Sequence, residues 1–133
     1  MKQLRIYVDT SVIGGCFDDE FAEWSNALMA NFRADLYRLV ISDVTAAEIA
    51  MAPESIREMF TDLLSDAEFL QISSEAVELA SAYESHGILG HGFRNDMLHI
   101  AIAAVGEVDV VVSWNFKHIV RLDKIRLFNA VNQ

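Results

Sequence analysis

The segment Val108-Asp109-Val110-Val111-Val112-Ser113 has almost no polar interruption. A run this short and apolar predicts a parallel strand covered on both faces by helices. Trp114-Asn115-Phe116-Lys117-His118 leads out of it. On its other side, Met97, Leu98, Ile100, Ala101, Ile102, Ala104 and Val105 predict a largely buried helix over 93–105. Gly87, Gly90 and Gly92 mark a loop before that helix. Three further β-rich runs lie upstream: Leu4-Arg5-Ile6-Tyr7-Val8, Arg38-Leu39-Val40-Ile41-Ser42 and Phe69-Leu70-Gln71-Ile72. Phe21, Trp24, Leu28, Met29 and Phe32 at helical spacing predict a helix within 19–35, after a break at Gly14-Gly15. Ser42-Asp43 offers an N-cap for a helix over 44–51. Pro53 precedes a helix to residue 64, and Ser73-Ser74-Glu75 opens another to residue 85. Residues 121–133 read as a short helix or strand. Strands alternating with helices predict an α/β fold, a three-layer α/β/α sandwich with a mostly parallel central sheet. A length of 133 residues fits a single domain over 1–133.

Composition excludes several classes. Hydrophobic residues at 53% exclude a disordered chain, and one proline excludes a Pro-rich linker. The single cysteine, Cys16, allows no internal disulfide and suits a reducing compartment. No stretch resembles a signal peptide or a membrane span, so the expectation is a soluble, cytoplasmic protein with no membrane partner. The net charge of −10 argues against generic nucleic-acid binding. Charge is uneven, however. Acids dominate between Asp43 and Glu84, where Arg57 is the lone base, whereas Lys117, Arg121, Lys124 and Arg126 outnumber Asp123 beyond Ser113.

Ligands of open α/β sheets bind beyond the carboxyl ends of the strands. Asp9 follows the first strand and Asn115 follows the last. Asp96 opens an almost wholly apolar helix, and Glu48 sits among Ala46, Ala47, Ile49 and Ala50. Carboxylates in such surroundings are costly unless a cation or donors compensate them. Each also has a purely structural reading. Asp9 can cap the turn at Thr10-Ser11, Glu48 can close a capping box with Thr45, Asp96 can favour a helix N-terminus, and Asn115 can be a turn residue. Taken together they point to one shared site. Clustered carboxylates resist ionising together, and a hard divalent cation reverses that. All-oxygen ligation suits Mg²⁺ or Mn²⁺. His86, His91, His99 and His118 form no zinc constellation with Cys16. No Walker motif, nucleophile elbow or dinucleotide fingerprint is present. An aspartyl phosphotransferase built on Asp9 lacks its second acid, because position 11 is serine.

Four motifs, in order, resemble the PIN-domain family and in particular the ribonuclease toxins of type II toxin–antitoxin systems. They are Tyr7-Val8-Asp9-Thr10-Ser11, Ser42-Asp43 with Glu48, Asn95-Asp96 with His99-Ile100-Ala101 and Ala103, and Ser113-Trp114-Asn115-Phe116-Lys117-His118. The resemblance implies a Mg²⁺- or Mn²⁺-dependent endoribonuclease with Asp9, Glu48 and Asp96 as metal ligands. Asn115 stands at the fourth catalytic position, ligating through its carbonyl without charge, so one well-held cation is expected and a second bound weakly or only with RNA. Thr10 or Ser11 would orient water or phosphate. Arg94, Lys117 and Arg121, with Lys124 and Arg126, are the candidates for RNA contact. The resemblance further implies a homodimer and a cognate antitoxin, for which Phe21, Trp24, Phe32 and Tyr37 offer a surface, although core packing suits most of those rings. Similar proteins often continue past Asn129-Ala130-Val131-Asn132, which leaves a last edge strand in question. The alternative is a catalytically weak or silent PIN-like module that binds RNA or a protein partner.

Overall fold

The computed structural model describes residues 3–85 and 94–114, without the side chains of Glu84 and of residues 94–96. Four parallel strands form one sheet in the order β3-β2-β1-β4: β1 is Leu4–Val8, β2 Tyr37–Ser42, β3 Glu68–Leu70 and β4 Val110–Val112. Helices α1 (Thr10–Gly14) and α2 (Ala22–Arg33) connect β1 to β2. Helices α3 (Asp43–Ala50) and α4 (Glu54–Leu64) connect β2 to β3, and α5 (Ser74–Ser85) and α6 (Arg94–Val105) connect β3 to β4.

Strand periodicity splits the core into two layers. On one face, Tyr7 and Val40 pack against Ala76, Ala80 and Tyr83 of α5 and against Met97, Ala101 and Ile102 of α6. On the other, Ile6, Val8, Leu39 and Ile41 pack against Val12 and Ile13 of α1, Met29 and Phe32 of α2, and Phe60 and Leu63 of α4. This is the expected three-layer sandwich. Helix α3 contributes to both layers, through Val44 and Ile49, and so crosses the carboxyl end of the sheet.

Four readings need correction. The run 108–113 yields only three strand residues, and β4 lies at one end of the sheet among the described residues, with Val110 40% exposed. Asp109 accepts the backbone N–H of Arg5 at 2.8 Å instead of continuing the strand. The Gly14-Gly15 break is a short helix, α1, followed by a 3₁₀ turn at Gly15–Phe17, because Asp9 supplies a cap that helical periodicity does not reveal. No capping box joins Thr45 to Glu48. Ser42 is the cap of α3 and accepts from Thr45 N–H. Trp24 faces outward, 63% exposed, while Phe32 is core and Phe21 stacks on Trp114. Residues 86–93 and 115–133, with their glycine loop and C-terminal expectations, lie outside the described residues.

Arg5 ties the amino end of the sheet together. Its guanidinium pairs with Glu68 of β3 and donates at 3.0 Å to the carbonyls of Gly106 and Glu107 in the turn before β4. Arg5→Leu is expected to cost about 1–2 kcal/mol, since charged hydrogen bonds to partly exposed groups are worth that much. The Arg5 hydrogen bond chiefly holds the Glu68 carboxyl below its ordinary value of 4.5. The pair's contribution is therefore complete above that value and lost as pH falls through the lowered one. Urea midpoints at neutral and acidic pH should converge for wild type and Arg5→Leu as pH falls.

Candidate active site

Asp9 leaves β1 in extended backbone and becomes the N-cap of α1, a position that aims its side chain back at the first-turn amides. The residue is 1% exposed. One oxygen accepts from Ser11 Oγ at 2.6 Å and from Val12 N–H at 3.3 Å. The other accepts from Ser113 Oγ. The β1–β4 register, Val8 opposite Val112, brings Ser113 beside Asp9. Trp114 N–H closes the loop by donating to Ser11 Oγ at 2.9 Å. Every one of these donors is neutral. Among the described residues no Lys or Arg pairs with Asp9.

Glu48 reaches the same end of the sheet from α3. Its Oε1 accepts from Thr10 Oγ1 at 3.0 Å, so the residue after Asp9 links the two acids. The same oxygen meets His99 Nε2 at 2.6 Å. The His99 hydrogen bond is the main cause holding the Glu48 carboxyl below its usual range, against the opposing effect of burial. His99 is only 2% exposed and sits on α6. Its Nδ1 lies 2.6 Å from Tyr7 OH, which lies 2.6 Å from Ser42 Oγ. Burial foremost pushes the Tyr7 phenol up to about 12, so it remains a hydroxyl.

The structure thus brings Asp9, Thr10, Ser11 and Glu48 together. Position 96 lies on α6 three residues before His99, on the same helical face, but the Asp96 side chain lies outside the described residues. So do the Arg94 side chain and all of Asn115, Lys117 and Arg121. The sequence reading missed His99, Tyr7, Ser42 and Ser113 as parts of this site. A signal for His99 existed. A polar side chain on an almost wholly apolar helix must find partners, and it stands one turn after Asp96.

Among the described residues, no three His, Cys, Asp or Glu side chains converge as a metal cluster. Asp9 and Glu48 still fit a hard dication. Asp9 is a buried carboxylate without a cationic partner among the described residues, and only Oε1 of Glu48 carries the bonds from Thr10 and His99.

The PIN domain family model matches residues 6–123. Among solved structures, the toxin–antitoxin complex from Klebsiella pneumoniae is similar to this chain with TM-score 0.64 and 19% identity, covering 90% of this chain and 93% of that one. VapBC2 from Rickettsia felis, bound to a DNA fragment from its promoter, is similar with TM-score 0.59 and 19% identity, covering 88% and 94%. At this identity the likeness is one of fold. Comparison with curated proteins gave no match. The family match takes in all but the first two residues of the sheet's strands, together with Asp9, Glu48, Asp96 and Asn115, and the chain belongs to the PIN domain family.

Proposed function

We propose that this chain is a metal-dependent endoribonuclease that hydrolyses RNA phosphodiester bonds, and that it is the toxin of a type II toxin–antitoxin pair. The observation that carries this reading is Asp9, a buried carboxylate met only by neutral donors among the described residues and linked through Thr10 to Glu48. Such a charge calls for a cation. Family membership and the toxin–antitoxin complexes among its structural neighbours support the biological half.

Asp9, Glu48 and Asp96 would hold Mg²⁺ or Mn²⁺, with the Asn115 carbonyl adding an uncharged oxygen. When bound, the cation lowers the pKa of a water and polarises the scissile phosphate. The protein's residues supply the rest. Ser11, Ser113 and Val12 N–H fix Asp9, and Thr10 and His99 fix Glu48. The His99 hydrogen bond holds the Glu48 carboxyl below its usual range, which favours the ionised form that a cation needs, and Asp96 or Glu48 would accept the proton of the attacking water. In-line attack then leaves a 5′-phosphate and a 3′-hydroxyl. Arg94, Lys117 and Arg121 contact the RNA backbone. In an acidic chain so few bases favour a shaped RNA over any random strand. Residues 1–133 act as one domain, as a cytoplasmic homodimer, and a cognate antitoxin covers the site, with the exposed Trp24 within its reach. Among the described residues no helix is long and apolar enough to cross a membrane.

Purified chain incubated with structured RNA should cut it with Mg²⁺ or Mn²⁺, stop with EDTA and leave 5′-phosphate ends. Asp96→Asn should lose the activity. Cleavage that survives both EDTA and Asp96→Asn, or no cleavage from a chain that also binds no Mn²⁺, would overturn the reading.

A further inference from the structure

We infer that His99 is a positioning residue: a one-way chain of hydrogen bonds holds its imidazole as the Nε2–H tautomer and aims that N–H at Glu48. This rests on the proposed metal site, since it concerns how one of the ligands there is held.

The direction of the chain follows from its carboxylate end, and the Thr45 end is consistent with it. Thr45 N–H, in the first turn of α3, can only donate, and it gives its proton to Ser42 Oγ. The Ser42 hydroxyl then has its own proton to give, and Tyr7 OH lies 2.6 Å away. A Tyr7 oxygen that accepts from Ser42 has its own proton for His99 Nδ1, also at 2.6 Å. An Nδ1 that accepts leaves the ring proton on Nε2, which lies 2.6 Å from Glu48 Oε1. An ionised carboxylate can only accept, so the bond to Glu48 requires the Nε2 proton, and in a neutral ring this fixes the direction of the chain. Every donor in the chain has an acceptor.

The chain also begins and ends on α3, at Thr45 and at Glu48. Between them it passes through β2, β1 and α6. His99 and Tyr7 are almost wholly inaccessible to solvent and meet edge to face at 5.7 Å, so neither ring can turn without disturbing the core. Thr10 and His99 both engage Oε1. The second oxygen is then left for the cation, and Glu48 is held in one rotamer before any ion arrives. Outer partners of this kind set ligand orientation and typically change metal affinity by about 10–100-fold.

Two measurements on the full chain test this. Side-chain ¹H–¹⁵N spectra at neutral pH, with His99 assigned by its loss in His99→Gln, should show a protonated Nε2 and a bare Nδ1. Mn²⁺ titration followed by electron paramagnetic resonance should show affinity falling about 10–100-fold in His99→Leu. His99→Gln, which restores an N–H near the Nε2 position, should return to within a few-fold of wild type. Tyr7→Phe keeps the ring and removes the relay. It should shift the Nδ1 resonance, leave Nε2 protonated against the carboxylate, and lower Mn²⁺ affinity about 10-fold because the ring is held less firmly. An Nδ1–H tautomer in wild type, a folded His99→Leu chain with wild-type Mn²⁺ affinity, or His99→Gln no better than His99→Leu would each overturn the inference. If His99→Leu fails to fold, the spectra and the Tyr7→Phe variant decide alone. A wild-type chain that binds no Mn²⁺ but shows the Nε2–H tautomer defeats the nuclease reading and leaves the relay standing.

Discussion

Asp9→Asn should lower metal-dependent RNA cleavage by about 1,000-fold or more while leaving the fold intact. Two opposite effects of one substitution make this a sharp test. Asn caps helices as well as Asp does, so α1 keeps its start. Ser11 and Ser113 present hydroxyls that can turn to accept from an amide, so the new side chain finds partners. The substitution also removes a buried charge with no cationic partner among the described residues. Metal-free stability should therefore be unchanged or higher by about 1 kcal/mol, because an uncompensated charge is costly to bury. The dication, by contrast, loses a formal negative ligand. Added Mg²⁺ or Mn²⁺ should raise the melting temperature of wild type and not that of Asp9→Asn, as expected of a ligand that binds only the folded state. Thermal melts with and without the ion, beside cleavage rates, check both halves. Wild-type cleavage in the variant would sink the assignment of Asp9, and a metal-free destabilisation above about 2 kcal/mol would show that the carboxylate is structural.

The sequence carried the layout of this site better than its connections. The strand at Leu4–Val8 was legible to the residue, because alternating Ile6, Tyr7 and Val8 feed two different cores. Asp9 and Glu48 stood out as acids in apolar surroundings, Asp9 directly after a strand and Glu48 among Ala46, Ala47, Ile49 and Ala50 of α3. What joins them was not legible. The bond from Thr10 to Glu48 depends on α3 crossing the sheet end, and the bond from Ser113 to Asp9 depends on the β1–β4 register. Neither follows from local periodicity. The strand at 108–113 was overread because an apolar run reports burial, not the length of backbone that finds a partner. Val108 N–H bonds back to the Ala103 carbonyl and Asp109 meets Arg5 instead. His99 was read as part of the Asn95–Ala103 motif and weighed as a zinc ligand, but not as a partner of Glu48. A buried imidazole between a phenol and a carboxylate is another use of the same residue type.

Gly15→Ala is expected to cost about 3 kcal/mol, and its cause lies close to the same aspartate. Gly15 has an ordinary helical backbone, so the requirement for glycine there is one of space. A Cβ at this position would stand 2.6 Å from Ser25 Oγ and 2.8 Å from Trp114 Nε1. Neither atom can step aside freely. Ser25 is fully buried and donates to the Val12 carbonyl at 2.7 Å, while accepting from the Trp114 indole at 2.7 Å. The indole is stacked on Phe21 at 5.2 Å with the rings nearly parallel. One methyl group must therefore break two hydrogen bonds or move a stacked ring pair. For a chain of this length about 3 kcal/mol corresponds to a fall of roughly 10 °C in melting temperature. The damage should also reach chemistry, since Trp114 N–H holds Ser11 and Ser11 holds Asp9. Placing Gly15→Ala on a Ser25→Ala background removes one of the two clashes. The alanine at position 15 should then cost clearly less than it does alone, a non-additivity expected of groups in direct contact. Calorimetry of the two single variants and the double variant measures it. Strict additivity would show that the site relaxes without the contact to Ser25.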